Sequence, residues 1–120
     1  MFVTYEVPKE LVEKVYLAVE TARDEGKLRR GANEVTKLVE RSQAQLVVLA
    51  EDVSPPEILA HIPMLCDEKV AFYTFVPSKE ELGKASGLKV PTSAVTIVDI
   101  GKKKGALDEI TKAITEARKE

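Results

Sequence analysis

Three short apolar runs most constrain what this chain can fold into. Ala44 to Ala50 (AQLVVLA), Val70 to Val76 (VAFYTFV) and Ala94 to Ile100 (AVTIVDI) are rich in β-branched and aromatic residues. Each reads as a strand, and Ala44 to Ala50 is nearly continuous in its apolar residues, as expected for a strand covered on both faces. Stretches of helical period separate them. Pro8 is placed as the first residue of a helix on which Leu11, Val15, Ala18, Val19 and Ala22 share one face, up to Gly26. Glu57 to Lys69 reads as helical, with Ile58, Leu59, Ile62 and Leu65 inward and Pro63 expected to kink it or offset its hydrogen bonds. Ser78 and Glu81 form a capping box for a helix ending at Gly83 or Gly87, and Ala106 to Arg118 reads as the last helix. Lys27 to Arg30 reads as a brief strand, residues 2–7 as extended, and Gly87 to Ser93 as a loop. Such regular alternation predicts a three-layer α/β/α sandwich with a central, roughly four-stranded mixed sheet.

At 120 residues the chain is one domain by size, long enough to bury a single core. No apolar run is long enough to span a bilayer, and Thr4 and Glu6 interrupt the first residues, so neither a membrane segment nor a secretory signal is expected. The lone Cys66 has no disulfide partner, and one His gives no metal-ligand spacing, which fits a reducing, cytoplasmic setting. No Gly-rich nucleotide loop or nucleophile elbow is present, so no cofactor is expected. Cys66 and His61 are the only candidate nucleophile and base, and they point in different directions on one predicted helix. Cys66 reads as a small buried hydrophobe and His61 as a packed histidine. Glu51, Asp52 and Glu57 read as a solvated corner before a cation site.

The net charge of −2 argues against a general polyanion binder. Its distribution says more. Residues 27–41 carry Lys27, Arg29, Arg30, Lys37 and Arg41 against only Glu34 and Glu40, while residues 51–69 carry five anions and Lys69. One basic island on an acidic body points to a localised anionic partner.

Within that island, Gly31 to Arg41 reads GANEVTKLVER. Glycine suits a tight turn, and Asn33 can sit at a helix start. On a helix of about 100° per residue, Val35, Leu38 and Val39 fall on one arc. Asn33, Glu34, Lys37 and Arg41 fall on the other. A plain surface helix would pair Glu34 with Lys37 at (i, i+3). Base recognition is the competing reading: Asn both donates and accepts, Glu only accepts, and Lys and Arg only donate, a set able to read purine edges and hold phosphates.

The basic island with GANEVTKLVER resembles the ribosomal L-seven-Ae family of kink-turn RNA-binding proteins, in its archaeal form. Two further blocks carry the likeness: LVVLAEDVSPPEILAHIPMLCDEK, Leu46 to Lys69, and SKEELGKASGLKVP, Ser78 to Pro91. The resemblance implies the same α/β/α sandwich and a non-enzymatic protein. Its RNA would be the kink-turn, an internal loop in which a short bulge abuts tandem sheared G·A pairs. Asn33, Glu34 and Lys37 would then read the sheared guanines. Arg30, Gly31 and Arg41 would position the RNA backbone, with Lys27 at the edge. Leu88, Lys89 and Val90 match the loop that packs on a flipped-out nucleotide, and Ile58 a position lining the same pocket. The chain departs from many archaeal relatives at Ser42, where they carry glycine, and at Gln45, where they carry lysine.

The implied partners are large-subunit rRNA, box C/D and H/ACA guide RNAs and RNase P RNA. Around the guide RNAs stand a Nop-domain scaffold and fibrillarin or the pseudouridine synthase machinery, and the protein itself is a monomer when free. Two other readings stay open on the residues alone: a protein-interaction module using the acidic Glu51–Glu68 surface, and an enzyme acting through Cys66.

Overall fold

A computed structural model describes residues 5–118. Residues 2–4 of the expected extended segment lie outside the described residues, and residues 5–7 pair with no strand. The described elements run α1 (Lys9–Glu25), β1 (Lys27–Arg30), α2 (Ala32–Glu40), β2 (Leu46–Ala50), a 3₁₀ turn (Pro56–Ile58), α3 (His61–Lys69), β3 (Tyr73–Val76), α4 (Lys79–Ala85), β4 (Ala94–Asp99) and α5 (Lys104–Ala117). The sheet is four-stranded and mixed, in the order β1-β4-β2-β3. β4 runs antiparallel to both β1 and β2, while β2 and β3 are parallel. α1 packs with α4 and α5 on one face, and α2 with α3 on the other, which makes the predicted three-layer sandwich.

The period of each segment explains its burial. On α1 the five buried residues are Leu11, Val15, Ala18, Val19 and Ala22, the face read from the sequence. β2 and β3 are buried at every position, as the unbroken apolar runs required. Pro8 stands just outside α1, as its extended cap (ψ 147°), so the helix begins at Lys9.

The segment from Glu57 to Lys69 is not one helix. It divides into the 3₁₀ turn and α3, and Pro63 falls in the first turn of α3. There its missing N–H has no intrahelical acceptor to lose, so no kink follows. The division turns Ile58 outward (46% exposed), while Leu59 and Ile62 are buried. His61, at the start of α3, is exposed where packing was expected, and its Nε2 lies 2.9 Å from the Thr36 hydroxyl on α2. The same hydroxyl lies 2.8 Å from Ala32 O, so Thr36 links the first turn of α2 to the start of α3.

α3 ends with Val70 in the left-handed region (φ 58°), followed by an Ala71 N–H bond to Cys66 O. This wrap normally uses glycine, because a Cβ in that region costs roughly 1–2 kcal/mol. Val70 is 88% exposed, so its side chain has little packing to offset the strain. We expect Val70→Gly to raise stability by ~0.5–1 kcal/mol, after allowance for glycine's extra freedom in the unfolded chain. Urea unfolding reads this directly; a fall in stability would mean that the valine side chain is held by contacts after all.

Candidate nucleic-acid interface

Because β4 opposes β1 and β2, the ends of β1, β2 and β3 and the start of β4 share one edge of the sheet. The register places Arg30 opposite Val95 and Leu49 opposite Ala94. The turns leaving β1, β2 and β3 and the loop entering β4 therefore meet there. These are the three sequence blocks that carry the resemblance.

Gly31 is the corner between β1 and α2. Its φ of 97° with ψ of 144° is open to glycine and strained for any other residue. Its N–H donates to Ala94 O at 2.8 Å and its carbonyl accepts from Val35 N at 3.0 Å, so the corner is pinned to β4 and to the helix it starts. Gly31, not Asn33, is the N-cap of α2, and no side chain caps the helix. The first amides of α2 thus point outward with the positive end of the helix dipole, a ready position for an anion.

Val35 and Val39 are buried, and Asn33, Glu34, Lys37 and Arg41 are exposed on the opposite face. Among the described residues none of these four side chains makes a hydrogen bond or an ion pair, and the Glu34–Lys37 pair of a plain surface helix is absent. Arg41 closes α2, and Ser42 follows in the left-handed region (φ 56°), with Gln43 N–H bonded to Leu38 O. Serine occupies a position whose left-handed backbone favours glycine. Gln45, the second departure, accepts from Ile100 N–H at 3.1 Å and so closes the far end of β4.

The loop after α4 is the other half of the site. Ser78 caps α4 through Glu81 N–H at 3.2 Å, and Asp52 accepts from Lys79 N–H at 2.9 Å. Gly87 (φ 85°) ends the helix; Gly83 lies inside it and is buried. A Cβ on Gly83 would sit 2.2 Å from Val90 O, so the loop backbone rests directly on the helix. Leu88 N–H bonds to Gly83 O at 2.9 Å and Thr92 N–H to Lys79 O at 3.1 Å. Held at both ends, the loop presents Val90 to solvent at 62% exposure beside the exposed Lys89 and half-buried Leu88. A shallow recess of about 190 Å³ is lined by Glu80, Lys84, Leu88, Lys89, Val90 and Pro91.

Arg30 joins the two halves. Its Nε donates to Ser86 O at 2.8 Å and its NH2 bonds the same carbonyl. Lys27 does not join them: it lies opposite Asp99, three residues back along β1, roughly 10 Å from Arg30 at strand rise. Ile58 stands exposed on the 3₁₀ turn after β2 and does not line the recess at the loop. Arg29, exposed on β1 within the basic island, was given no role by sequence reasoning; its charge was the available signal.

Cys66 is fully buried, and burial first, then the neighbouring Asp67 carboxylate, pushes its thiol up to about 12. No thiolate is available at neutral pH for nucleophilic work. Among the described residues no three His, Cys, Asp or Glu are grouped to hold a metal, and no helix is long and apolar enough to cross a membrane.

An uncapped helix start that follows a basic strand, beside a pinned apolar loop on one edge of an α/β/α sandwich, defines a binding module built from strand-to-helix turns. The particular family follows from comparison. The chain belongs to the Ribosomal protein L7Ae/L30e/S12e/Gadd45 family, whose model matches residues 13–107. Among solved structures it is similar to the Giardia lamblia 15.5kD RNA binding protein, at 31% identity over 97% of this chain and 93% of that one, with a TM-score of 0.82.

Two outcomes follow. Gly31→Ala is expected to cost at least ~1 kcal/mol of stability, seen as a lower denaturant midpoint, because the new Cβ meets a forbidden φ and not a steric neighbour. An unchanged midpoint would mean that the corner relaxes to negative φ. Cys66 should resist alkylation near neutral pH until the chain unfolds. Its folded pKa lies above its unfolded value, so its contribution is intact below about pH 9 and is lost as pH rises toward 12. Cys66→Ala should flatten that alkaline loss, and rapid labelling of the native protein would contradict the burial.

Proposed function

We propose that this chain is a non-enzymatic RNA-binding protein that recognises and stabilises kink-turns. One observation carries the reading: the uncapped amides of α2, the unpaired Asn33, Glu34, Lys37 and Arg41, and the pinned loop with Val90 all open at one edge of the sheet. Similarity to the Giardia lamblia 15.5kD RNA binding protein supports the same class of partner.

The chemistry suits a distorted helix better than a regular one. The deep, narrow major groove of A-form RNA excludes side chains, whereas a sharp kink opens base edges to them. Sheared guanines offer N–H donors to Glu34 and acceptors to Lys37, with Asn33 able to serve either edge. A carboxylate near RNA is costly unless it accepts from a specific N–H, so Glu34 selects against the wrong base while Lys37 and Arg41 add affinity. Arg30 and Gly31 hold the RNA backbone at the corner, with Lys27 at the margin. Leu88, Lys89 and Val90 would shelter an unstacked base, and Ile58, exposed on the turn after β2 and outside that recess, would meet the same nucleotide only at its margin. Binding would trap the kinked conformer by population shift.

Within the cell the reading extends to large-subunit rRNA, to box C/D and H/ACA guide RNAs and to RNase P RNA. The protein would act as a cytoplasmic monomer that joins a Nop-domain scaffold and fibrillarin on the guide RNAs.

A binding titration tests this, using a kink-turn RNA beside the same RNA with its G·A pairs made Watson–Crick, at two salt concentrations because phosphate contacts are salt-dependent. Tight binding to the first alone is expected. Glu34→Ala and Lys37→Ala should each weaken it by ~1–3 kcal/mol, the scale of a good base-edge contact. Equal binding to both RNAs would reduce the basic island to a phosphate patch.

A further inference from the structure

The loop that carries Leu88, Lys89 and Val90 begins at a helix end whose carbonyls need partners. Four carbonyls at a helix C-terminus lack intrahelical donors. In α4 two of them are taken by the wrap itself: Leu88 N–H bonds to Gly83 O and Gly87 N–H to Lys84 O. The next two, on Ala85 and Ser86, are taken by guanidiniums from outside the helix. Arg23 NH1, from the last turn of α1, donates to Ala85 O at 3.2 Å and lies 3.5 Å from Lys84 O. Arg30 takes Ser86 O.

Arg23 is itself held in place. Its Nε and NH2 donate to the two carboxylate oxygens of Asp24, at 2.9 and 3.2 Å, which leaves NH1 directed at α4. An exposed neighbouring pair of this kind adds little stability. Its effect is orientation. A Cβ on Gly87 would lie 2.8 Å from Arg23 Cδ and 3.8 Å from Arg30 NH2, so the two arginines flank the residue from which the loop departs. Two cations at a helix C-terminus also meet the negative end of its dipole.

We propose that Arg23 is a positioning residue which, with Arg30, clamps the end of α4, holding the 87–91 loop in the form that accepts an unstacked nucleotide. The inference rests on the RNA-binding reading above and adds a residue remote from the α2 face. Arg30 couples that loop to the Gly31 corner, while Arg23 fixes the loop's exit from the α1 side. Loss of the clamp lowers the population of the competent loop, and apparent affinity falls by the same factor.

The test uses the full chain with Arg23→Met, which keeps an unbranched, helix-favouring stem, and Arg23→Lys, which keeps a donor. Each is titrated with a kink-turn RNA, with the same RNA lacking the base of its bulged nucleotide, and with the Watson–Crick control. Arg23→Met should bind the intact kink-turn about 3- to 10-fold more weakly and the abasic form as well as wild type does, with Arg23→Lys recovering part of the loss. An equal loss on both RNAs, or none on either, overturns the proposal. Failure of wild type to prefer the kink-turn over its control overturns the functional reading instead, and this inference with it. Hydrogen exchange on the wild-type protein gives a second reading that needs no variant. The Leu88 amide should be protected as well as that of Ser86, and exchange far faster than Ser86 would show that no clamp holds the loop.

Discussion

The hydrogen-bond ladder of β4 between β1 and β2 is the constraint on which the rest of the molecule depends. Because β4 opposes both neighbours, three strands finish, and one begins, at the same edge. A β4 added in parallel at the outside would put the α4–β4 loop at the opposite edge, away from α2. The antiparallel placement also gives Gly31 its partner, since the Ala94 carbonyl that holds the corner is the first of the β4 strand.

On that frame the candidate site is rigid in its backbone and unpaired in its side chains. Gly31, Gly83 and Gly87 are each tied by backbone bonds, close contact or guanidiniums. By contrast, the first amides of α2 and the side chains of Asn33, Glu34, Lys37 and Arg41 have no partner among the described residues. A site of this kind loses little conformational freedom on binding, because ordering is already present in the free chain. It also leaves Val90 exposed, a feature unfavourable for folding alone and suited to covering an unstacked base. The acidic surface is partly committed elsewhere: Asp52 caps α4 and Asp67 pairs with Arg118 at 2.9 Å.

Much of this was legible in the chain. The five inward residues of α1, the strands, the Ser78 cap of α4 and the polar face of α2 all follow from periodicity and cap chemistry, which are local. Two misreadings share one cause. Ile58 and His61 were placed inward by counting one helix through Glu57 to Lys69, and a break before His61 rotated both outward. Gly83 has the look of a helix end, yet its bare Cα serves a close approach by the backbone of Val90 in the following loop. Lys27 belongs to the basic island by sequence but stands at the far end of a short strand from Arg30.

The sequence by itself determined the layers, the strand candidates and the composition of the basic face, because hydrophobic period and capping act over neighbouring residues. It also carried the family likeness. Only the tertiary structure decided which turns meet at one edge, and that Arg23 and Arg30 converge on the end of α4. Those outcomes depend on strand order and on contacts between residues more than fifty positions apart, which no local pattern encodes.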